Sequence, residues 1–188
     1  MTLDLSLPAT CPPLCHPRYY ECNQDLAAFA LYTLVDIPES DLSKLLLFLN
    51  HEWCHGDDDI PPIVRTPKTY NFTGKTLKDI VKAQTEMDMQ MTPLTGAQAN
   101  YELGWHPEAF LVVTTRDCVQ PGKGLLLVFM DDYDNEFEQL DDPEVRRMDK
   151  CFLPIEEAPM VLSSFQLTDM AFMDAKAQFG GGDELVGP

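Results

Sequence analysis

Basic residues are scarce in this chain. Lys and Arg total 13 against 31 Asp and Glu, leaving a formal net charge of −18 and a pI of about 4.3 over 188 residues. A surface of that sign repels phosphate backbones, which argues against nucleic acid and anionic membrane as partners; a charged partner should be a basic protein. Long apolar runs are missing too, since no stretch reaches the roughly 18 residues a membrane span needs. The opening MTLDLSLPATCPPLCHP carries Asp4 where a secretory signal is basic, and prolines where its apolar core should run. No signal peptide and a cytoplasmic location are therefore expected. The six Cys then read most simply as reduced thiols, although their even number leaves disulfides open. Without secretion, Asn71-Phe72-Thr73 is an unused glycosylation sequon. No internal repeat is visible.

What remains is an ordinary globular balance, 45% apolar and 23% charged, in a length that suits one domain. Residues 1–22, rich in Pro and Cys, read as an irregular arm, residues 23–178 as a single domain, and 179–188, rich in Gly, as a frayed tail. Asn23 or Asp25 can cap a helix through Leu26 to Val35. After the break at Asp36 to Ser40, a second helix is expected from Asp41 to about Cys54, with Ser40 as its cap and Gly56 ending it. At ~100° per residue, Leu42, Leu45, Leu46, Leu49 and Trp53 form one apolar stripe that should face the core. Residues 57–67 read as a loop, and Thr76 caps a third helix toward Met91.

Beyond Pro93 and Gly96 the period changes. Residues 110–115 and 125–130 are short, apolar and partly β-branched, with Pro121 to Gly124 between them, and predict an antiparallel hairpin. An acidic loop at 131–142, with Pro143 opening a short helix, leads to a strand near 151–153. Helices near 156–166 and 169–178 close the chain. The expected class is α+β: a small, mainly antiparallel sheet packed by helices from both ends of the sequence.

The one chemically organised cluster is His51-Glu52-Trp53-Cys54-His55, which spells H-E-x-x-H. Two imidazoles at i and i+4 share a helix face and can share a zinc ion, with the Glu as general base toward bound water. His51 and His55 fall opposite the Leu42–Trp53 stripe, and Asp57, Asp58, Asp59 or a distant Glu would have to supply the third ligand. Against this, Gly56 ends the helix at once, Asp57 stands where such helices carry an apolar residue, and no third His follows at a set spacing. On the bland reading, polar side chains on an outer helix face need no explanation, and His near a helix C-terminus suits the dipole.

Weaker patterns fall away on chemistry. Cys11, Cys15, His16 and Cys22 with Cys54 or His55 lack the paired C-x-x-C spacing of a structural zinc site. Thr73-Gly74-Lys75-Thr76 imitates part of a phosphate loop, but Thr69 takes the first glycine position and Pro61, Pro62 and Pro67 break the strand that should feed it. Asp132, Asp134 and Glu136 begin like a calcium loop whose glycine is Phe137 and whose closing Glu is Pro143.

The segments Phe110–Asp117, Gly124–Asp131, Cys151–Glu156 and Phe165–Asp174 resemble a small bacterial and fungal domain of unknown function, over about residues 105–180. The resemblance implies an α+β scaffold of strand pair and terminal helix, and brings no activity or site residue with it. The expected function is that of a non-enzymatic accessory or protein-interaction domain, needing no cofactor, with the sheet edge or the acidic loop as its contact surface. The alternative is a zinc-dependent hydrolase with His51 and His55 as ligands and Glu52 as base.

Overall fold

The first element overturns one expectation. Residues Ala28–Thr33 form a strand, β1, and not the helix read over 26–35. All six residues are buried, because β1 lies inside the sheet with both faces covered. A strand buried on two sides shows no alternation, so its apolar run imitates a buried helix, and Ala-rich composition biases the reading further. The computed structural model describes residues 3–9, 27–54, 60–91, 104–120, 124–131 and 147–180.

The other elements follow in chain order. They are α1 (Glu39–Cys54), β2 (Val64–Arg65), α2 (Leu77–Met91), β3 (Trp105–Val113), β4 (Gly124–Asp131), β5 (Arg147–Pro154), α3 (Ala158–Gln166) and α4 (Phe172–Phe179). The strands form one mixed sheet in the order β2-β1-β3-β4-β5. β1 is parallel to β2 and β3, whereas the longer β3–β4 and β4–β5 pairings are antiparallel. The class is α+β, as the alternation of periods predicts, and the hairpin falls where the sequence puts it.

Alternation along the strands sorts the core into two layers. Phe29, Leu31, Leu111, Leu127 and Leu153 pack with α1, α3 and α4 on one face. Ala30, Tyr32, Phe110, Leu126 and Phe152 pack with α2 on the other, joined by Leu3, Leu5 and Leu7 of the amino-terminal arm. The described part of the arm, residues 3–9, is irregular in backbone yet laid against the sheet, where the Asp4 carbonyl accepts the Leu77 N–H (3.1 Å). On α1, Leu42, Leu45 and Leu49 are buried, and Leu46 and Trp53 pack beside them, as the wheel predicts. Each buried Leu contributes about 1.5–3 kcal/mol of transfer free energy.

Polar caps and turns close the elements. Thr76 opens α2, its N–H and hydroxyl both donating to the Asp79 carboxylate (2.9 and 2.8 Å). Gly74, at φ +78°, supplies the left-handed turn before it, so the phosphate-loop imitation is an ordinary glycine turn and helix cap. Gly124 faces β5 closely; a Cβ there would stand 2.2 Å from the Leu153 carbonyl oxygen.

The strand read from residue 110 starts five residues earlier, at Trp105, through an irregularity. Register runs from Ala28↔Trp105 to Ala30↔Phe110, so β3 spends five residues where β1 spends two. The displaced His106 carbonyl accepts from the buried Gln84 amide (3.1 Å), whose own oxygen accepts from the Tyr32 hydroxyl (2.8 Å). Burial of that kind requires such partners; it also raises the Tyr32 pKa.

Candidate functional site

Among the described residues, the chemistry-bearing side chains do not converge. His51 and Glu52 sit side by side on the last turn of α1, and both are exposed. His55, Gly56 and Asp57–Asp59 lie outside the described residues, as do Cys11, Cys15, His16, Cys22, the loop 132–142 with Pro143, and the tail from 181. Among the described residues no three His, Cys, Asp or Glu side chains are grouped to hold a metal ion. Cys54, beside the pattern, donates its thiol to the Ile60 carbonyl (3.7 Å). Cys118 and Cys151 are free and buried, and burial pushes both thiols up to about 11, far from the thiolate a nucleophile needs.

Among the described residues, His106 is the one His in the core. Its ring stacks on Phe29 at 4.5 Å and 10° between planes, and its Nδ1 has no hydrogen-bond partner among the described residues. Desolvation lowers its pKa to about 4, so it is neutral in the fold. Beside it in sequence, Trp105 lies under the Arg65 guanidinium (4.9 Å), which also donates to the Gly104 carbonyl. Burial lowers the Arg65 pKa. Cation, indole and carbonyl together close the amino end of the sheet.

The sheet's two edges differ sharply. β2 is two residues long, and its outward groups are already met: Asn50 of α1 accepts the Val64 N–H (2.9 Å) and donates to the Val64 carbonyl (3.0 Å). One amide side chain thus stands in for a neighbouring strand. The same amide donates to Leu46 O (2.8 Å), so α1 holds it in place.

β5 has no such cover among the described residues. Its backbone orientation follows from one hydrogen bond. Leu34 N–H donates to Val113 O (2.9 Å), so Val113 and Leu111 point toward β1, and Val112 and Phe110 toward β4. The unbroken registers Val112↔Leu126 and Leu127↔Cys151 carry the alternation across. Leu127 and Cys151 therefore face each other, and the even-numbered residues of β5 turn their N–H and C=O groups outward. Pro154 falls in that outward set, where a missing N–H costs the ladder nothing. Its carbonyl is taken by Glu157 N–H (3.1 Å) in the turn to α3. The Lys150 N–H donates to its neighbour Asp149's carboxylate (2.7 Å). The N–H and C=O of Met148 and Phe152, and the Lys150 carbonyl, have no backbone partner among the described residues.

Two long side chains brace this edge from opposite faces. Lys176 of α4 pairs with Asp149 (2.5 Å), and Lys150 donates to the Leu5 carbonyl of the arm (2.5 Å). The edge is thus tied to a helix on one face and to the arm on the other. The cue available in sequence was Pro154 closing a strand after Cys151 to Leu153; what it could not show was that nothing in the described chain lies beyond.

Among the described residues no helix is long and apolar enough to cross a membrane. The described residues of 105–180 form β3 through α4, the scaffold of this edge. The chain matches no protein-family model, and no curated protein or solved structure is similar to it.

Proposed function

We propose that this chain is a non-enzymatic protein-interaction domain that takes an extended, basic segment of a partner onto the outer edge of β5. The observation that carries the reading is the row of backbone groups, the N–H and C=O of Met148 and Phe152 and the Lys150 carbonyl, left without partners among the described residues on a braced, eight-residue edge strand. Natural sheets cover or blunt long edges, as Asn50 does for β2; an edge held open is a template for strand addition. Charge sets the partner's sign. The chain carries −18 overall, and the sequence joining β4 to β5 holds Asp132, Asp134, Glu136, Glu138, Asp141, Asp142 and Glu144 against Arg146 alone. Main-chain bonds supply affinity and the field selects a basic segment.

The test uses a labelled peptide of alternating Lys and Val and its Glu–Val counterpart. Anisotropy should show saturable binding of the Lys peptide and none of the Glu peptide. Methylating the backbone nitrogens along one edge of the Lys peptide should abolish binding, since its side chains and charge remain but its ladder donors do not. Equal binding of the methylated peptide would reject strand addition.

The zinc-hydrolase alternative rests on His51 and Glu52, adjacent and solvent-facing on α1. It expects one zinc per chain after chelator-free purification, lost in His51→Ala/His55→Ala, and retained with turnover abolished in Glu52→Gln. The interaction reading expects no stoichiometric metal, so metal analysis separates the two.

A further inference from the structure

At the carboxyl ends of β1, β3 and β5, just past Pro154 where the edge strand stops, a cleft of about 560 Å³ opens between α1, the turn after β3 and the turn after β5. β1 leads away to α1 and β2 on one side, and β3 leads away to β4 on the other, so the loops diverge above the sheet. Crevices of this kind, outside the carboxyl ends of parallel strands where connections part, are where open sheets with helices on both faces bind small ligands. The volume also lies in the range of small-molecule sites, about 300–1,000 Å³.

The lining has two characters. Phe48 and Val119 are 43% and 48% exposed, and with the buried Ile155 they give an apolar wall and floor. Large apolar side chains left this open on concave surface mark a contact site more often than a plain surface does. The charged groups around them are unequally matched. Lys44 is paired with Asp41 (3.0 Å), and Arg116 donates to the Asp36 carbonyl (2.8 Å) and carboxylate (3.5 Å). The Asp117 carboxylate accepts from the neutral Gln120 amide (3.2 Å). Glu156 makes no ion pair or hydrogen bond among the described residues. Both cations lining the cleft are thus engaged, while two carboxylates beside the apolar wall lack a cation among the described residues.

We infer that this cleft binds a small organic cation, an apolar body carrying a protonated amine, with the body between Phe48 and Val119 and the amine on Glu156. Asp117 adds to the field that draws the amine in. An anion of the same shape would meet the uncompensated carboxylates and be refused, so the cleft discriminates by charge as well as by shape.

Phenethylamine and its carboxylate counterpart hydrocinnamate are the probes, titrated to about 10 mM, enough to register a Kd near 1 mM, into the full chain while its backbone amides are followed by NMR. The amine should give saturable shifts at residues 116–120 and 155–157, and hydrocinnamate none. Glu156→Gln should weaken the amine at least about fivefold, near 1 kcal/mol. Phe48→Ala should remove saturation while leaving the spectrum of the rest of the protein in place. The inference is overturned if neither probe saturates, if both bind alike, or if Glu156→Gln binds as well as the parent. Shifts in β5 play no part in these outcomes, so this inference and the strand-addition reading stand or fall separately.

Discussion

A neutral imidazole stacked on Phe29, with Nδ1 unpartnered among the described residues, concentrates a protonation cost at one point of the core. Burial holds the His106 pKa near 4 in the fold, against about 6.5 in an unfolded chain. Between those values the unfolded state binds the extra proton, so stability falls as pH drops from 6.5 toward 4 and is level above. The loss between pH 7.5 and pH 5 should be about 2 kcal/mol. Asp4 and Asp79 are held below their ordinary value by hydrogen bonds from Ser6 and Thr76, and their contribution is lost only at more acid pH, below 3.8. Denaturant unfolding at the two pH values should show the drop in the parent and little of it in His106→Phe. An equal slope in the variant would assign the effect elsewhere. Asn50 makes a second residue-scale claim: Asn50→Ala strips both outward groups of Val64 and should cost about 1–3 kcal/mol. An unchanged denaturation midpoint would mean that solvent serves those groups as well.

Elements are legible where a water-facing stripe or a turn between β-branched runs marks them, and obscure where neither does. The stripe of α1 announces its partner through periodicity, whereas β3 and β4, buried on both faces, are marked by short β-branched runs on either side of Pro121 to Gly124, and the structure places both accordingly. β1 gave no such sign, being covered on both sides, and β2 was hidden because two residues between prolines carry no pattern. Its place depends on Asn50, fourteen residues away in sequence, which local reading does not connect to it. The sequence suggests a sheet edge or the acidic loop as a contact surface without saying which strand forms an edge; the structure puts β5 at one end of the sheet. Which residues face outward depends on register passed across three strands from the Leu34–Val113 bond, a long-range property that no window of sequence contains. The His51–Glu52 pair was legible as a pattern, and the exposure expected for an outer helix face is what the structure has.

At the scale of the whole molecule, the proposed reading has charge and topology act on one partner. A net −18 would draw basic segments from a distance, and the β5 backbone groups without partners among the described residues would give them somewhere to stop. Attraction of this origin is screened within about 10 Å at 0.1 M salt, so raising salt from low to physiological strength should weaken the Lys–Val peptide severalfold. A salt-independent affinity would contradict the electrostatic half of the account.

Amide hydrogen exchange, read residue by residue with and without the Lys–Val peptide, tests the central claim most directly. Strand addition predicts new protection at Met148 and Phe152, the two outward N–H groups without a partner among the described residues. Asp149, Cys151 and Leu153, already facing β4, should change little. Saturating peptide that leaves Met148 and Phe152 exchanging as before, or that protects residues away from β5 instead, would contradict it.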